Sequence, residues 1–413
     1  MRLPIEPSQP TLGTGLAFES VLPRGFQRMR LFLALLAAAS VLNFGACSTS
    51  KSTPPSGNGA LFVATQGDSS VAGFLIDLST GKISTNGKSV GTGSVPAAIA
   101  ISSSGDALFV ANSGSNDISA YTLNSDGTLT AASGTTPAGQ NPVSMAVDSA
   151  GHLFVANQGT QSDPASATIS IFSVSGASLT EVGSPVPVAP GALTGPGPAA
   201  VAVTSDGKFL YVANKFDSTV TQFSVNSDGT LTRITSYVAG TTPSAAIIVV
   251  TSDESNFLYI ADSGSNNVSA YAICTQVSAT CGAANGTLTE VTGSPFSAGL
   301  KPVSIAASPE GEFVYVADES SNQVSQYEVG AGSGALTALA QATISTGLNP
   351  VWVAVRAGST TITDTGGTRD FVYTANQGAN SISVFSFDST VGTLSVVGQP
   401  VTTGGQPATL AAR

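Results

Sequence analysis

The stretch FLYVANKFDSTVTQFSVNSDGTLT, Phe209–Thr232, decides how this chain is read. It recurs as FLYIADSGSNNVSAYAI (Phe257–Ile273) and FVYVADESSNQVSQYEV (Phe313–Val329), with weaker copies starting at Leu61, Leu108, Leu153 and Phe371. The alanine that anchors each copy falls at Ala64, Ala111, Ala156, Ala213, Ala261, Ala317 and Ala375, so the spacings are 47, 45, 57, 48, 56 and 58 residues. A period near fifty, built only from short β-type runs and turns, predicts an all-β seven-bladed propeller.

Each copy divides into four strands, here a to d. Strand a follows a proline, as in Pro302-Val-Ser-Ile-Ala-Ala. Turn residues such as Ser205-Asp206-Gly207 come next. Strand b, such as Phe209–Ala213, is apolar without alternation, which predicts burial on both faces. Strand c (Val220–Val225) mixes apolar and polar residues, and strand d (Gly229–Thr232) is short and polar, as an outer edge requires. The first copy starts at strand b, and the chain ends on Pro407–Ala412, a strand a with nothing after it. The expected solution is that the C-terminal strand completes the first blade and closes the ring over residues 61–413.

Composition narrows the function classes. Four of the 14 basic and two of the 25 acidic residues precede Cys47, which leaves 10 and 23, a net charge of −13 on the body. Such a body repels phosphate backbones, so nucleic acid is not an expected partner. Residues 1–46 read as a leader. Leu31–Leu42 is a twelve-residue apolar run after Arg28 and Arg30, which fits a secretory signal and is too short for a membrane-spanning helix. Phe44-Gly45-Ala46 before Cys47 is similar to a bacterial lipoprotein signal, with Cys47 as the lipidated residue. Residues 47–60, rich in Pro, Gly and Ser, would tether the propeller to a membrane facing the periplasm or cell exterior. Cys274 and Cys281 bracket an insertion in the fifth copy and read as a disulfide in an exported protein.

The [FL]-[LV]-Y-[VI]-A-[ND] run, the S-N-x-[VI]-S-x-[YF] run and G-T-L-T resemble YVTN-type propeller repeats. Gly293-Ser294-Pro295-Phe296 is similar to the spacers of secreted lactonase-family propellers, a family that includes 6-phosphogluconolactonase. The resemblance covers roughly residues 60–413. Its members commonly place an Arg-His pair directly after the proline of a strand a, near the mouth of the central channel. The matching pairs here are Ala97-Ala98, Val143-Ser144, Ala199-Ala200, Ser244-Ala245, Val303-Ser304, Val351-Trp352 and Ala408-Thr409, so no family catalytic residue carries over.

Candidate residues are those that break the repeat. Trp352 stands where other blades place Ala, Ser or Thr; it either fills a packing gap beside the closing blade or stacks on a ligand. Lys215 and Glu319 lie on b–c loops and could form a polar binding pair across blades four and six, or be solvated loop charges. His152 is expected as an exposed turn residue. Arg356 and Arg369 are expected in a solvated insertion on the opposite face. Asn112, Asn157, Asn214, Asp262, Asp318 and Asn376, which end strand b, are expected to hold the b–c loops through the backbone. No metal and no cofactor is expected: the single histidine is in another copy from the cysteines, and no Gly-rich phosphate loop or nucleophile elbow occurs. The favoured reading is an exported, lipid-anchored module that binds a small molecule or a protein at the channel mouth. Hydrolysis of a sugar-acid lactone, as the resemblance implies, and an envelope structural role are the alternatives.

Overall fold

The computed structural model describes residues 58–189, 195–275, 285–362 and 365–413. The leader, Cys47, the tether up to residue 57 and Cys281 lie outside the described residues. Cys274 is disulfide-bonded.

Seven antiparallel sheets follow one another, each of four strands or of four with strand d broken in two. The fourth blade is representative: Pro198–Val203 is strand a, Phe209–Asn214 strand b, Thr219–Val225 strand c and Leu231–Val238 strand d. Strand b is buried at every position in this blade, and equally at Ala107–Asn112 and Phe313–Asp318. The uninterrupted apolar run therefore reports a strand covered on both faces. Strand d alternates between exposed and half-buried residues, as an outer edge does. It begins at Leu231, two residues later than the sequence suggests, because Asp228 takes the Thr230 N–H and hydroxyl into the preceding turn, and it runs to Val238, six residues further.

The ring closes as expected. Pro407–Ala412 pairs with Asn58–Thr65, placing Leu61 opposite Ala412 and Val63 opposite Leu410. Leu410 and its two following alanines are buried. Apolar clusters fill all seven seams between neighbouring blades; the seam between blades 7 and 1 is built from Leu61, Val63, Tyr373, Ile382 and Leu410. With no free inner edge left, every blade is covered by two neighbours.

The repeated residues have local roles. The b–c turn carries an asparagine with positive φ, in the S-N-x run at Asn116, Asn266 and Asn322 and after an alanine at Asn380. Each turns its Oδ1 to the N–H of the residue that precedes the next blade's strand-a proline, at 2.7–2.8 Å from Asn141, Lys301, Asn349 and Gln406. Those pre-proline residues are themselves left-handed, as are Val95, Gly197 and Thr242 in the other blades. The side-chain bond thus fixes a backbone conformation that β-branched and bulky residues disfavour. The asparagines and aspartates that end strand b act differently from expectation. They bind side chains of strand c more than loop backbone: Asn112 Nδ2 donates to Ser119 Oγ, Asn214 Nδ2 to Thr221 Oγ1, and Ser269 and Ser325 donate to Asp262 and Asp318. The strands on either side of the b–c turn are thereby locked together, which a backbone-only reading of Asn and Asp misses.

Candidate functional site

All strand-a prolines and all b–c turns lie at one end of the ring, and this end forms the mouth of the central channel. In each blade the pairing of strands a and b shifts register just after the proline. The residue after the proline is the extra, unpaired member of a bulge, a device that re-aims a side chain. The seven bulge residues are Ala97, Val143, Ala199, Ser244, Val303, Val351 and Ala408. Six are apolar; the Ser244 hydroxyl bonds the Ser263 hydroxyl at 2.7 Å.

A second, polar ring sits over this apolar one. The first residue of each b–c loop donates its N–H to the pre-proline carbonyl: Gln66, Ser113, Gln158, Lys215, Ser263, Glu319 and Gln377. Six of these seven are half-buried and Lys215 is exposed. Their side chains bond one another and the ends of the innermost strands. Gln377 Nε2 reaches Gln66 Oε1 at 3.3 Å, and Gln66 Nε2 reaches the Pro96 carbonyl at 3.3 Å, so two amides link blades 7, 1 and 2. Asn141 Nδ2 bonds Gln158 Oε1 at 3.2 Å. Lys301 Nζ lies 2.8 Å from the Glu319 carboxylate.

The structure therefore sets Lys215 and Glu319 at equivalent positions of one ring but gives Glu319 a different partner. Its cation is Lys301 of the same blade, left-handed and held at its N–H by Asn266. The sequence offers no signal for that choice, since Lys301 sits in a pre-proline loop that reads as spacer. Trp352 is half-buried and packs against the apolar seam between blades 7 and 1. It is the second residue after its proline, and the equivalent residues Ser144 and Ser304 point the same way, into the next seam, where their hydroxyls accept the Val201 and Val353 N–H groups.

Two other candidates lie at the far end of the ring. His152 is not an exposed turn residue. It opens strand b of blade 3, its N–H and Nδ1 bond the buried Asp148 carboxylate at 2.7 and 2.8 Å, and its side chain is 14% exposed. It packs on Gly229 of the next blade, where a Cβ would meet its ring at 2.5 Å. Arg356 likewise departs from expectation: strand a of blade 7 runs on to Thr361, so the insertion is largely a β-extension, and the Arg356 Nε is buried among seam residues without a hydrogen-bond partner. Arg369 is exposed.

The model of the seven-bladed β-propeller lactonases matches residues 88–175, 163–279 and 238–355. The chain belongs to this lactonase family. Solved structures share the fold of this lactonase-family propeller. A Pseudomonas aeruginosa periplasmic gluconolactonase superposes with a TM-score of 0.67 at 19% identity, covering 86% of this chain and 99% of that one. A Bacteroides fragilis protein provisionally assigned as a 6-phosphogluconolactonase gives 0.67 at 20% identity, covering 88% and 100%. A functionally unknown protein from Desulfotomaculum acetoxidans gives 0.60 at 15%, covering 84% and 98%. A search of curated proteins found no match.

The ion pairs His152–Asp148 and Lys208–Asp206 lie at the far end of the ring, and Lys301–Glu319 lies at the mouth. The ring thus offers amides and hydroxyls in number, one carboxylate paired with Lys301 and the exposed Lys215, with the exposed acids Asp68, Asp163 and Asp217 on the b–c loops around it. Such a set matches the hydroxyls and ring oxygens of an uncharged polyhydroxylated molecule, and offers little to a multiply charged anion.

Proposed function

We propose that this lactonase-family propeller is an exported, lipid-anchored module that binds an uncharged, polyhydroxylated small molecule, of the sugar-lactone class, at the channel mouth. The observation that carries the reading is the ring of Gln66, Ser113, Gln158, Ser263 and Gln377 around an apolar floor, with its only carboxylate, Glu319, neutralised by Lys301. Export and anchoring are supported by the leader and by Cys47 in the sequence. The lactonase alternative has one observation in its favour besides family membership. The Glu319 carboxylate and Lys301 ammonium, side by side at the mouth, are the pair of types that activating water and stabilising a lactone oxyanion would need.

One experiment separates the two. The fragment from Ala60 to Arg413 is titrated with gluconolactone by calorimetry while its hydrolysis is followed beside buffer alone. Binding without acceleration, weakened in Gln66→Ala, supports the binding module. Hydrolysis well above the spontaneous rate, lost in Glu319→Gln, replaces it with a lactonase. Neither binding nor hydrolysis across a panel of sugar lactones rejects both.

A further inference from the structure

The chain enters the propeller at one end only. Strand b of blade 1 begins at Asn58, opposite Asp77, and the Ala60 N–H bonds the carbonyl of Arg413, the last residue. This is the end of the a–b and c–d turns. The strand then runs to Thr65 and delivers Gln66 to the mouth. Eight residues of strand separate the two ends, about 24 Å at the usual rise.

The distance limits what a tether can do. Ten residues, Ser48 to Gly57, lie between Cys47 and this strand. Carrying the mouth to the surface on which Cys47 is anchored would require the tether to pass along the full height of a blade and around its outer strand. Its greatest extension, about 35 Å, covers little more than the height.

Charge does not choose between the ends, since the mouth end also exposes Asp68, Asp163 and Asp217; it only keeps the body off an anionic leaflet. The turns at the entry end expose Asp106, Asp126, Asp228, Asp253, Glu254 and Glu312. An anionic leaflet repels them, and the repulsion reaches about 8 Å at physiological salt, well within what the tether allows the body to stand off.

We infer that the anchored protein stands with its a–b and c–d turns toward the membrane and its mouth facing away, so that the ligand arrives from the aqueous compartment and not from the bilayer. The inference rests on the lipid anchor of the proposed function. It also assigns a setting to the exposed apolar side chains near the mouth. Val95, Leu300 and Leu348, 42%, 56% and 58% exposed, face the compartment and not lipid.

The test uses the full-length, processed chain in phosphatidylcholine vesicles that carry an energy-transfer acceptor on their headgroups. A donor dye is attached at Asp126→Cys, at the entry end, or at Ser320→Cys, in the b–c loop of blade 6. Both positions are exposed. Cys47→Ala serves as the control for anchoring. The inference expects vesicle association that depends on Cys47, with transfer from the Asp126 position at least about twofold greater, since the labels differ in height by about the length of a strand. Equal transfer, or more from the Ser320 position, overturns the orientation and leaves the anchor intact. Vesicle association that is absent, or unchanged by Cys47→Ala, overturns the anchor and the orientation with it.

Discussion

Blades 4 to 7 and blades 1 to 3 share one repeat but join their neighbours differently. In blades 4, 5, 6 and 7 strand b carries a phenylalanine and, two residues on, a tyrosine: Phe209 and Tyr211, Phe257 and Tyr259, Phe313 and Tyr315, Phe371 and Tyr373. Each tyrosine hydroxyl donates to the carbonyl of a glycine in the next blade's c–d turn, Gly286, Gly334, Gly392 and Gly81, at 2.5–3.2 Å. The phenylalanine packs on that same glycine, leaving no room for a Cβ. Burial raises the pKa of all four phenols, so each stays a donor. Blades 1 to 3 have Phe62, Phe109 and Phe154 at the tyrosine position, and Ala60, Ala107 and His152 at the phenylalanine position. Their seams lack this tyrosine–glycine pin and are crossed by other bonds, such as that from the Tyr121 hydroxyl to the Gly91 carbonyl at 2.6 Å and that from the Val201 N–H to Ser144 Oγ. The ring therefore has four seams with this pin and three without it, and the pinned set includes the seam between blade 7 and blade 1, the blade in which the two chain ends pair.

That meeting point gives the largest expected effect. Deleting Pro407–Arg413 strips strand b of blade 1 of its inner partner, exposes Leu61 and Val63, and removes Leu410 and Ala412 from the Tyr373 seam. The loss should exceed about 5 kcal/mol, on the scale of a domain's whole net stability. Thermal denaturation should show a collapsed melting temperature or no cooperative transition. An unchanged melting temperature would refute closure by the C-terminal strand.

The pinned half also carries a penalty. Blades 2, 3, 4 and 7 end strand b on asparagine, whereas blades 5 and 6 end it on Asp262 and Asp318, both buried. Desolvation pushes each carboxyl up to about 6 from an ordinary 3.8, against the opposing bonds from Ser269 and Ser325. Because the folded pKa is the higher one, the folded state holds a proton that the unfolded state releases between pH 4 and 6. Stability is then greatest below about pH 4, falls as pH rises through 6, and stays reduced above it. Asp318→Asn should raise stability at pH 7.5 by roughly 1–3 kcal/mol and change little at pH 4. Urea melts at both pH values check this; an equal effect at the two pH values would show that the carboxyl's ionisation is not the cause.

Sequence legibility follows the same divide between repetition and exception. Blade number, strand order and closure are readable from the alanine spacing and from the unmatched strand at Pro407, because they depend on features present in every copy. The bond from Asn116, Asn266, Asn322 and Asn380 to the next blade's pre-proline residue is half readable: the asparagines recur, but their partners differ in type and are 25–35 residues away. The mouth is the least readable part. Lys215 and Glu319 stand out as charges in a low-charge chain, yet the partner of Glu319 depends on which left-handed loop residue lies beside it, and that residue is Lys301. His152 misleads for a similar reason. Next to Gly151 it reads as turn, and only the next blade's Gly229 shows that it fills the place phenylalanine holds elsewhere.

The smallest expected effect tests the pins themselves. Tyr315→Phe removes a hydroxyl and leaves the Gly392 carbonyl buried, so it should cost about 1 kcal/mol. The reverse exchange is more informative. The c–d turns of blades 4 and 5 read Asp228-Gly-Thr-Leu and Asn285-Gly-Thr-Leu, the same frame, and Gly286 is the acceptor of Tyr211. Phe154 lies in the seam between blades 3 and 4, at the strand position Tyr211 holds, and His152 already packs on Gly229 as Phe209 packs on Gly286. Phe154→Tyr should therefore gain what Tyr315→Phe loses, about 1 kcal/mol. Phe109→Tyr should not, because the c–d turn of blade 3 is a tight one at Gly176 with open space around it. A new phenol there would be buried without an acceptor, at a cost of about 1–3 kcal/mol. If all three tyrosine–phenylalanine exchanges moved the denaturation midpoint by the same sign and size, the seams would be differing in bulk alone, and the division of the ring into seams with and without the pin would have no energetic meaning.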